Sequence, residues 1–374
     1  TLWGSGYNGG FKGISSTSGN PVIDGGGDAN PVITLADNNT VMGFTIQNGH
    51  RGIYGQNIQN TTIKQNTISS NNQEGILLDI GGSTTGTYTI ANNTVTDNSG
   101  YAGIFAIAQG TATPTFYIDN NTSSDNKKTS APDYPVPVGA SGTSGRGIRV
   151  DFDTNSQGNA RISGNIVENN GSAGILAYSY NNAIVNDWEI MNNTVNNNAS
   201  TAISISSYNN SSILSADISG NSASKSSMGF SVVAYNSSSM STVTISGNTS
   251  DNNSTRGMQI WLADSSTGSI ESMIVTNNTV TNNGYTGGYE GIWVGNQGTG
   301  TIATTIADNT ITDNYRGLML KLLNPNETIT ATVYGNVISG STAEGLGIYS
   351  SASSTFIGSF YNNTIKSNSG NGVV

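Results

Sequence analysis

The 374 residues include no cysteine, so neither a disulfide framework nor a thiolate metal site can hold this fold together. Export stays open on that score, because many bacterial surface proteins avoid cysteine. Histidine is nearly as scarce. His50 is the only one, which leaves no partner for a two-histidine metal site, and in Asn48-Gly49-His50-Arg51 it reads as an ordinary turn residue. Charge is sparse too: 10% of residues are charged, against 34% hydrophobic. Disordered chains of low hydrophobicity carry dense charge, so this composition points instead to a thin, extended core under polar turns. Only 13 residues are Lys or Arg, scattered along a chain of net charge −10, and this excludes a nucleic-acid partner. No apolar run approaches the roughly 20 residues of a membrane-spanning helix, so direct membrane insertion by this region is excluded as well.

What is abundant is a repeat. An Asn recurs at Asn66, Asn93, Asn121, Asn165, Asn193, Asn221, Asn248, Asn278, Asn309, Asn336 and Asn363, at intervals of 27 to 31 with one of 44. Three residues before each stands an apolar position, from Ile63 and Ile90 to Val333 and Phe360. Five residues after comes a second polar column, Asn71 to Asn368, with Ser226 and Ser341 as substitutes. A Gly column opens the next segment, broken once by Ala202, and an apolar residue always follows it. β-Branched residues in period-two alternation make strands, and Gly and Asn supply bends that tolerate left-handed backbone angles. Coils of about 28 residues stacked at ~4.8 Å place like residues above each other. Stacked Asn side chains then satisfy one another and the turn backbone, sparing ~1 to 3 kcal/mol for each buried polar group.

The expected fold is therefore all-β: one right-handed parallel β-helix of about 12 coils and ~60 Å, with Asn ladders. A leucine-rich solenoid lacks its consensus, a propeller needs a longer period, and Asn-Gly-Thr segments are poor helix formers. The whole of 1–374 is read as a single domain, with N-terminal coils in 1–50, an inserted loop at 127–145 and regular coils over 146–374. Opening at Thr1-Leu2-Trp3 without Met, it is expected to be a piece of a longer surface protein.

The segments Ile190-Met191-Asn192-Asn193-Thr194-Val195 and Ile306-Ala307-Asp308-Asn309-Thr310-Ile311 resemble the repeats of the pectin-lyase-like parallel β-helix superfamily. So does the opening pair Val22-Ile23-Asp24-Gly25-Gly26-Gly27 and Gly43-Phe44-Thr45-Ile46-Gln47-Asn48-Gly49. The resemblance covers nearly the whole chain and implies the fold. For activity it implies a wide choice: polysaccharide lyases, hydrolases, epimerases, tail spikes and non-enzymatic surface passengers. Lyases of the superfamily use calcium or a Lys or Arg base, and its hydrolases use clustered Asp in Asn-Thr-Asp and Asp-Asp signatures with a Gly-His. The Asn-Thr-Asp and Asp-Asp signatures are missing here, as is the epimerase-like Asp-Pro-His-Asp.

Strand alternation turns a row of residues outward on the segment after each Gly. That row is unusually apolar for a surface, and such patches mark interfaces. It includes Tyr178, Trp261 and Trp293, and two positions further along come Tyr180, Tyr208 and Tyr235 in consecutive coils, a stacked aromatic ladder; all six suit sugar rings or a protein partner. Stacked tyrosines that merely brace neighbouring coils would look the same. Just before the Gly column, Arg51 and Glu74, then Arg256, Glu290, Arg316 and Glu344, alternate in sign. These read as axial pairs that fix register.

The insertion, with Lys127, Tyr134 and three of the seven prolines, returns into Arg146-Gly147-Ile148-Arg149-Val150-Asp151-Phe152-Asp153, the most charged strand. Insertions in solenoids often shape binding sites, so any ligand site is expected there, with Tyr134 among its ligand contacts. Asp151 and Asp153, ~7 Å apart, fall within the range of paired glycosidase carboxylates, with Arg149 or Lys127 to stabilise charge. Asp24 and Asp28, in Asp24-Gly25-Gly26-Gly27-Asp28, are the calcium candidates; a Gly-rich turn explains them equally, and no other cofactor is indicated. Asn-x-Ser/Thr sequons such as Asn60, Asn92 and Asn277 follow from the repeat itself.

The functional expectation is a non-catalytic extracellular or cell-surface adhesin, passenger or stalk, bacterial or archaeal, that binds glycans or cell-surface proteins. Two alternatives stand beside it. One is a polysaccharide lyase or glycoside hydrolase centred on Arg149, Asp151 and Asp153; the other is a filament, sheath or surface-layer subunit that associates end to end.

Overall fold

The computed structural model describes residues 14–15, 20–127, 145–263 and 267–374. Each coil runs through three strands, which stack into three sheets of 14, 12 and 12 strands. A short strand such as Thr194–Asn196 leads through a tight bend into a longer one such as Thr201–Ser207. A wider turn then leads to a third, Ser212–Ser219, and a second tight bend closes the coil. These are called the short-strand, outer-face and third sheets. Neighbouring coils pair in parallel and in register, for example Val195 with Ala223, Ile203 with Phe230 and Ile218 with Ile245. The expected parallel β-helix is the observed fold. No helix among the described residues is long and apolar enough to cross a membrane.

Both tight bends have the same construction. The residue before each ladder Asn is left-handed, as at Asn92 and Asn192 (φ 55° and 56°) and at Asp97 and Asn252 (φ 56° and 55°). Asn and Asp tolerate that region better than other side chains. The ladder Asn itself is buried and saturated. Asn193 accepts the backbone N–H and the Nδ2 of Asn165, each at 2.9 Å. It donates Nδ2 to the Ile162 carbonyl at 2.8 Å and to Asn221 Oδ1 at 2.9 Å. The same pattern continues from Asn66 to Asn363. The second column is equally continuous from Asn71 to Asn314, with Ser226 Oγ accepting from Asn198 where the Asn is missing.

Inside the coils the apolar columns form one core from Leu35 to Leu346. Sequence reasoning did not anticipate its aromatic stretch, in which Tyr88, Phe116, Phe152 and Trp188 meet at centroid distances of 5.4, 5.9 and 5.5 Å. Three of these come from the third sheet. Where that column holds Ala160, Phe152 crosses from the outer-face sheet and fills the space, which is how close packing survives an irregular sequence.

The Gly column exists because the coil above is too close for a side chain. A Cβ on Gly174 would lie 2.3 Å from Val195 Cγ1 and 3.0 Å from Asn198 Nδ2. Ala202, the one exception, sits where the corresponding residues of the next coil are the smaller Ala223 and Ser226. Ala223→Val should therefore crowd the Ala202 methyl and cost about 1–3 kcal/mol in denaturation experiments. Placed in an Ala202→Gly background, the same change should cost nothing. The coupling between the two sites is the measured quantity, and additive costs would show that the two positions do not compensate.

Candidate binding face

The expected site lies on the outside of the outer-face sheet. Arg149 and Asp151 do project from that side of Arg146–Phe152, beside Tyr178 of the next coil. They are not accessible there, contrary to expectation: both side chains are 0% exposed. Arg149 grips Asp151 with Nε 2.9 Å from each carboxylate oxygen and Nη2 2.6 Å from Oδ2. The Arg149 guanidinium also lies 5.2–5.4 Å from the ring centroids of Tyr101, Phe105 and Tyr178. The aromatic surroundings exclude water, and this favours the bidentate pair over separate ions. Burial lifts the Asp151 carboxyl above its ordinary value, while Arg149 pulls it back. Burial beside Arg149 lowers the neighbouring Arg146 to about 10. Outward-facing Leu77, Tyr101, Ala102, Phe105 and Ile107 are likewise buried, and they form a second small apolar cluster outside the main core.

Asp153 is buried as well, and its Oδ1 accepts from Thr154 Oγ1 at 3.1 Å and Asn181 Nδ2 at 2.8 Å. The two candidate carboxylates are thus neighbours that already hold protein donors. Lys127 pairs with Asp97 at 3.1 Å on the exposed bend, away from this group. Residues 128–144, Tyr134 among them, lie outside the described residues.

The aromatic ladder is present. Tyr180, Tyr208 and Tyr235 stack along the axis with centroids 5.0 and 4.3 Å apart and planes within 13° and 6°. Trp261 meets Tyr235 edge-on at 5.7 Å, and Trp293 meets Trp261 at 6.2 Å. Tyr178 packs edge-on against both Tyr180 and Tyr208. Two expected ligand contacts, Tyr180 and Trp293, are buried, so they support the ladder without presenting surface. Tyr178, Tyr208, Tyr235 and Trp261 are half-buried. In the three-ring stack the faces are spent on each other, so Tyr208 and Tyr235 offer solvent their edges and hydroxyls. Burial raises their phenols, which stay neutral. Ser204, Ser206, Ser231 and Gln259, outward-facing on the same strands, are uncharged and buried.

The axial charge column pairs as expected. Arg51 meets Glu74 at 2.8 Å, Arg256 meets Glu290 at 2.8 Å, and Arg316 meets Glu344 at 2.7 Å. Glu290 also holds Lys321 at 2.7 Å, and Arg256 stacks 4.3 Å over Trp293, which ties the column to the end of the ladder. At the calcium candidates, Asp24 accepts from Gly26 N at 2.8 Å and from Gln47 and Asn48 side chains at 2.9 Å each, while Asp28 is exposed. The carboxylate of Asp24 thereby holds the turn. No group of three or more His, Cys, Asp or Glu able to hold a metal exists among the described residues.

One feature escaped the sequence reading. From Asn283 to Gly291 the chain takes eight steps where Asn253 to Gly257 takes four. The lengthened stretch, Gly284-Tyr285-Thr286-Gly287-Gly288-Tyr289, forms a turn whose three glycines have φ of 81°, 90° and 78°. Tyr285 is 63% exposed at its tip and Tyr315 is 38% exposed beside it. The lengthened Asn278–Asn309 interval of 31 was the available signal.

Several known proteins are similar. The A-module of Azotobacter vinelandii mannuronan C-5 epimerase AlgE4 is 15% identical, with a TM-score of 0.46 over 90% of this chain and 88% of that one. The Dettilon tailspike protein gp208 is 14% identical, with a TM-score of 0.39 over 88% of this chain and 61% of its own. The AlgE6 A-module is 14% identical, with a TM-score of 0.35 over 90% of each chain. No curated protein matches in sequence. Residues 5–123 and 140–318 match the family described as the right handed beta helix region. With that match spanning most of the Asn-laddered coils, the chain belongs to the right-handed β-helix family.

Proposed function

We propose that this chain is a binding scaffold of an extracellular or cell-surface protein, one that holds glycans or other chains against its outer face without cleaving them. The observation that carries this reading is the closed Arg149–Asp151 pair. The strand richest in charge spends Arg149 on its own carboxylate at 2.6–2.9 Å, out of contact with solvent. A general acid or base must lie within hydrogen-bond reach of substrate. What the face does offer is uncharged: the edges of Tyr208 and Tyr235 and the partly open Trp261. Aromatic and amphipathic groups of this sort anchor ligands.

The test is a glycan-array screen run beside reducing-sugar and unsaturated-product assays on the same glycans. Binding without product is expected, and Trp261→Ala should weaken it about tenfold, the loss of one aromatic anchor. Product formation that Asp151→Asn or Asp153→Asn abolishes would replace this reading with the polysaccharide-acting enzyme.

A further inference from the structure

A second groove runs along the corner between the short-strand and outer-face sheets. It lies at the start of the outer-face strands, whereas Tyr208 and Tyr235 stand at their far end. Asp251, Asn282, Tyr285, Asp313, Tyr315 and Thr342 line a space of about 710 Å³. Tyr285 also borders an adjoining space of about 490 Å³, together with Asn197, Lys225 and Ser254. Tyr285 is therefore the ridge shared by two grooves. Their lining comes from successive coils, so together they run along the rod for ~20–25 Å at strand spacing.

We propose that this corner groove binds a linear, neutral oligosaccharide laid parallel to the rod axis, with Tyr285 as its stacking platform. The ring is unlike those of the ladder. It is 63% exposed, and among the described residues no other ring packs on it, so a face is free for the apolar side of a sugar. Tyr315 flanks it, packed against Gly288, where a Cβ would come within 3.0 Å of the ring. Hydroxyl-rich ligands need donors and acceptors side by side, and the floor supplies both. Asp251 Oδ1 is held by Thr281 Oγ1 at 2.8 Å and Asn282 Nδ2 at 3.0 Å, which fixes the carboxylate. Asp313 and Asn252 are exposed alongside.

Charge selects among ligands. Two carboxylates face the larger space and one lysine the smaller, so a polyanion would be repelled where it met Asp251 and Asp313. A peptide finds no strand edge here, because the short strands at this corner pair on both sides. The proposal extends the reading of the chain as a surface binding protein but rests on different residues, so the two fail separately.

The experiment is calorimetric titration of the full chain with cellohexaose, mannohexaose and chitohexaose, and with hexagalacturonate as the acidic comparison. At least one neutral hexasaccharide should bind. Tyr285→Ala should weaken it about tenfold or more, Tyr285→Phe should preserve it, and Trp261→Ala should leave it within about twofold. An exposed turn residue can be truncated without unfolding the coils, and an unchanged melting transition verifies this. The proposal is overturned if no neutral hexasaccharide binds, if Tyr285→Ala binds as tightly as the parent, if hexagalacturonate is preferred, or if only Trp261→Ala abolishes binding.

Discussion

Replacing Asn193 by Ala should destabilise the coils by about 3–5 kcal/mol, among the largest effects of any single substitution in this chain. Several partners lose their bonds together. The Asn165 backbone N–H and Nδ2 lose their acceptor, and the Ile162 carbonyl and Asn221 Oδ1 each lose a donor. All of these groups are buried, and a buried polar group without a partner costs about 1–3 kcal/mol. Because like residues stack, the loss falls between two coils and splits the ladder there. Asn363→Ala removes a ladder member that is itself partly open and whose own coil is largely exposed, so water can replace its bonds and the change should cost under about 1 kcal/mol. Denaturant titration of both variants reads the difference, and hydrogen exchange should show opening concentrated around Asn165 and Asn221. Equal costs at the two positions would mean that the ladder is not the source of register and stability.

Arg149→Ala should cost about 3–5 kcal/mol for a different reason: it leaves the Asp151 carboxylate buried without its hydrogen-bonded cation, the Arg146 charge remaining nearby. The sign of its pH dependence follows from the carboxyl. Burial already raises Asp151 from its ordinary 3.8, with Arg149 opposing. A carboxyl with a raised folded pKa favours the fold most below its unfolded value, and that contribution is lost as pH rises through the folded value. Removing Arg149 raises Asp151 further, so the deficit of the variant should be larger at pH 7 than at pH 4, where the lone carboxyl takes up a proton. Parallel denaturation at the two pH values measures this. A deficit that grew on acidification would contradict the buried pair.

How much of this was legible follows from what repeats. The Asn, Ile and Gly columns each recur in nearly every coil, so period alone gave the coil length, the ladders and the buried faces. The same logic placed Arg256 beside Glu290 and stacked Tyr208 on Tyr235. It failed where a residue's surroundings come from outside its own column. Alternation correctly turned Arg149 and Asp151 away from the core, but alternation says nothing about what lies over a face, and so their burial was missed. The pair Tyr180 and Trp293 was misjudged for the same reason. Phe152 filling the gap at Ala160 and Tyr285 rising on a Gly-rich turn each happen once, and a feature that occurs once leaves no period to read.

The proposed division of labour is that the charged strand serves the fold while the aromatic outer surface binds. Its most direct test is the double variant Arg149→Met/Asp151→Leu, which removes both members of the buried pair and fills their volume with apolar groups. Such exchanges are close to neutral or stabilising when the pair is structural. The variant should melt within a few degrees of the parent and bind the same glycans with unchanged affinity. A variant that melts normally but has lost the ability to turn over a polysaccharide cleaved by the parent would contradict the account.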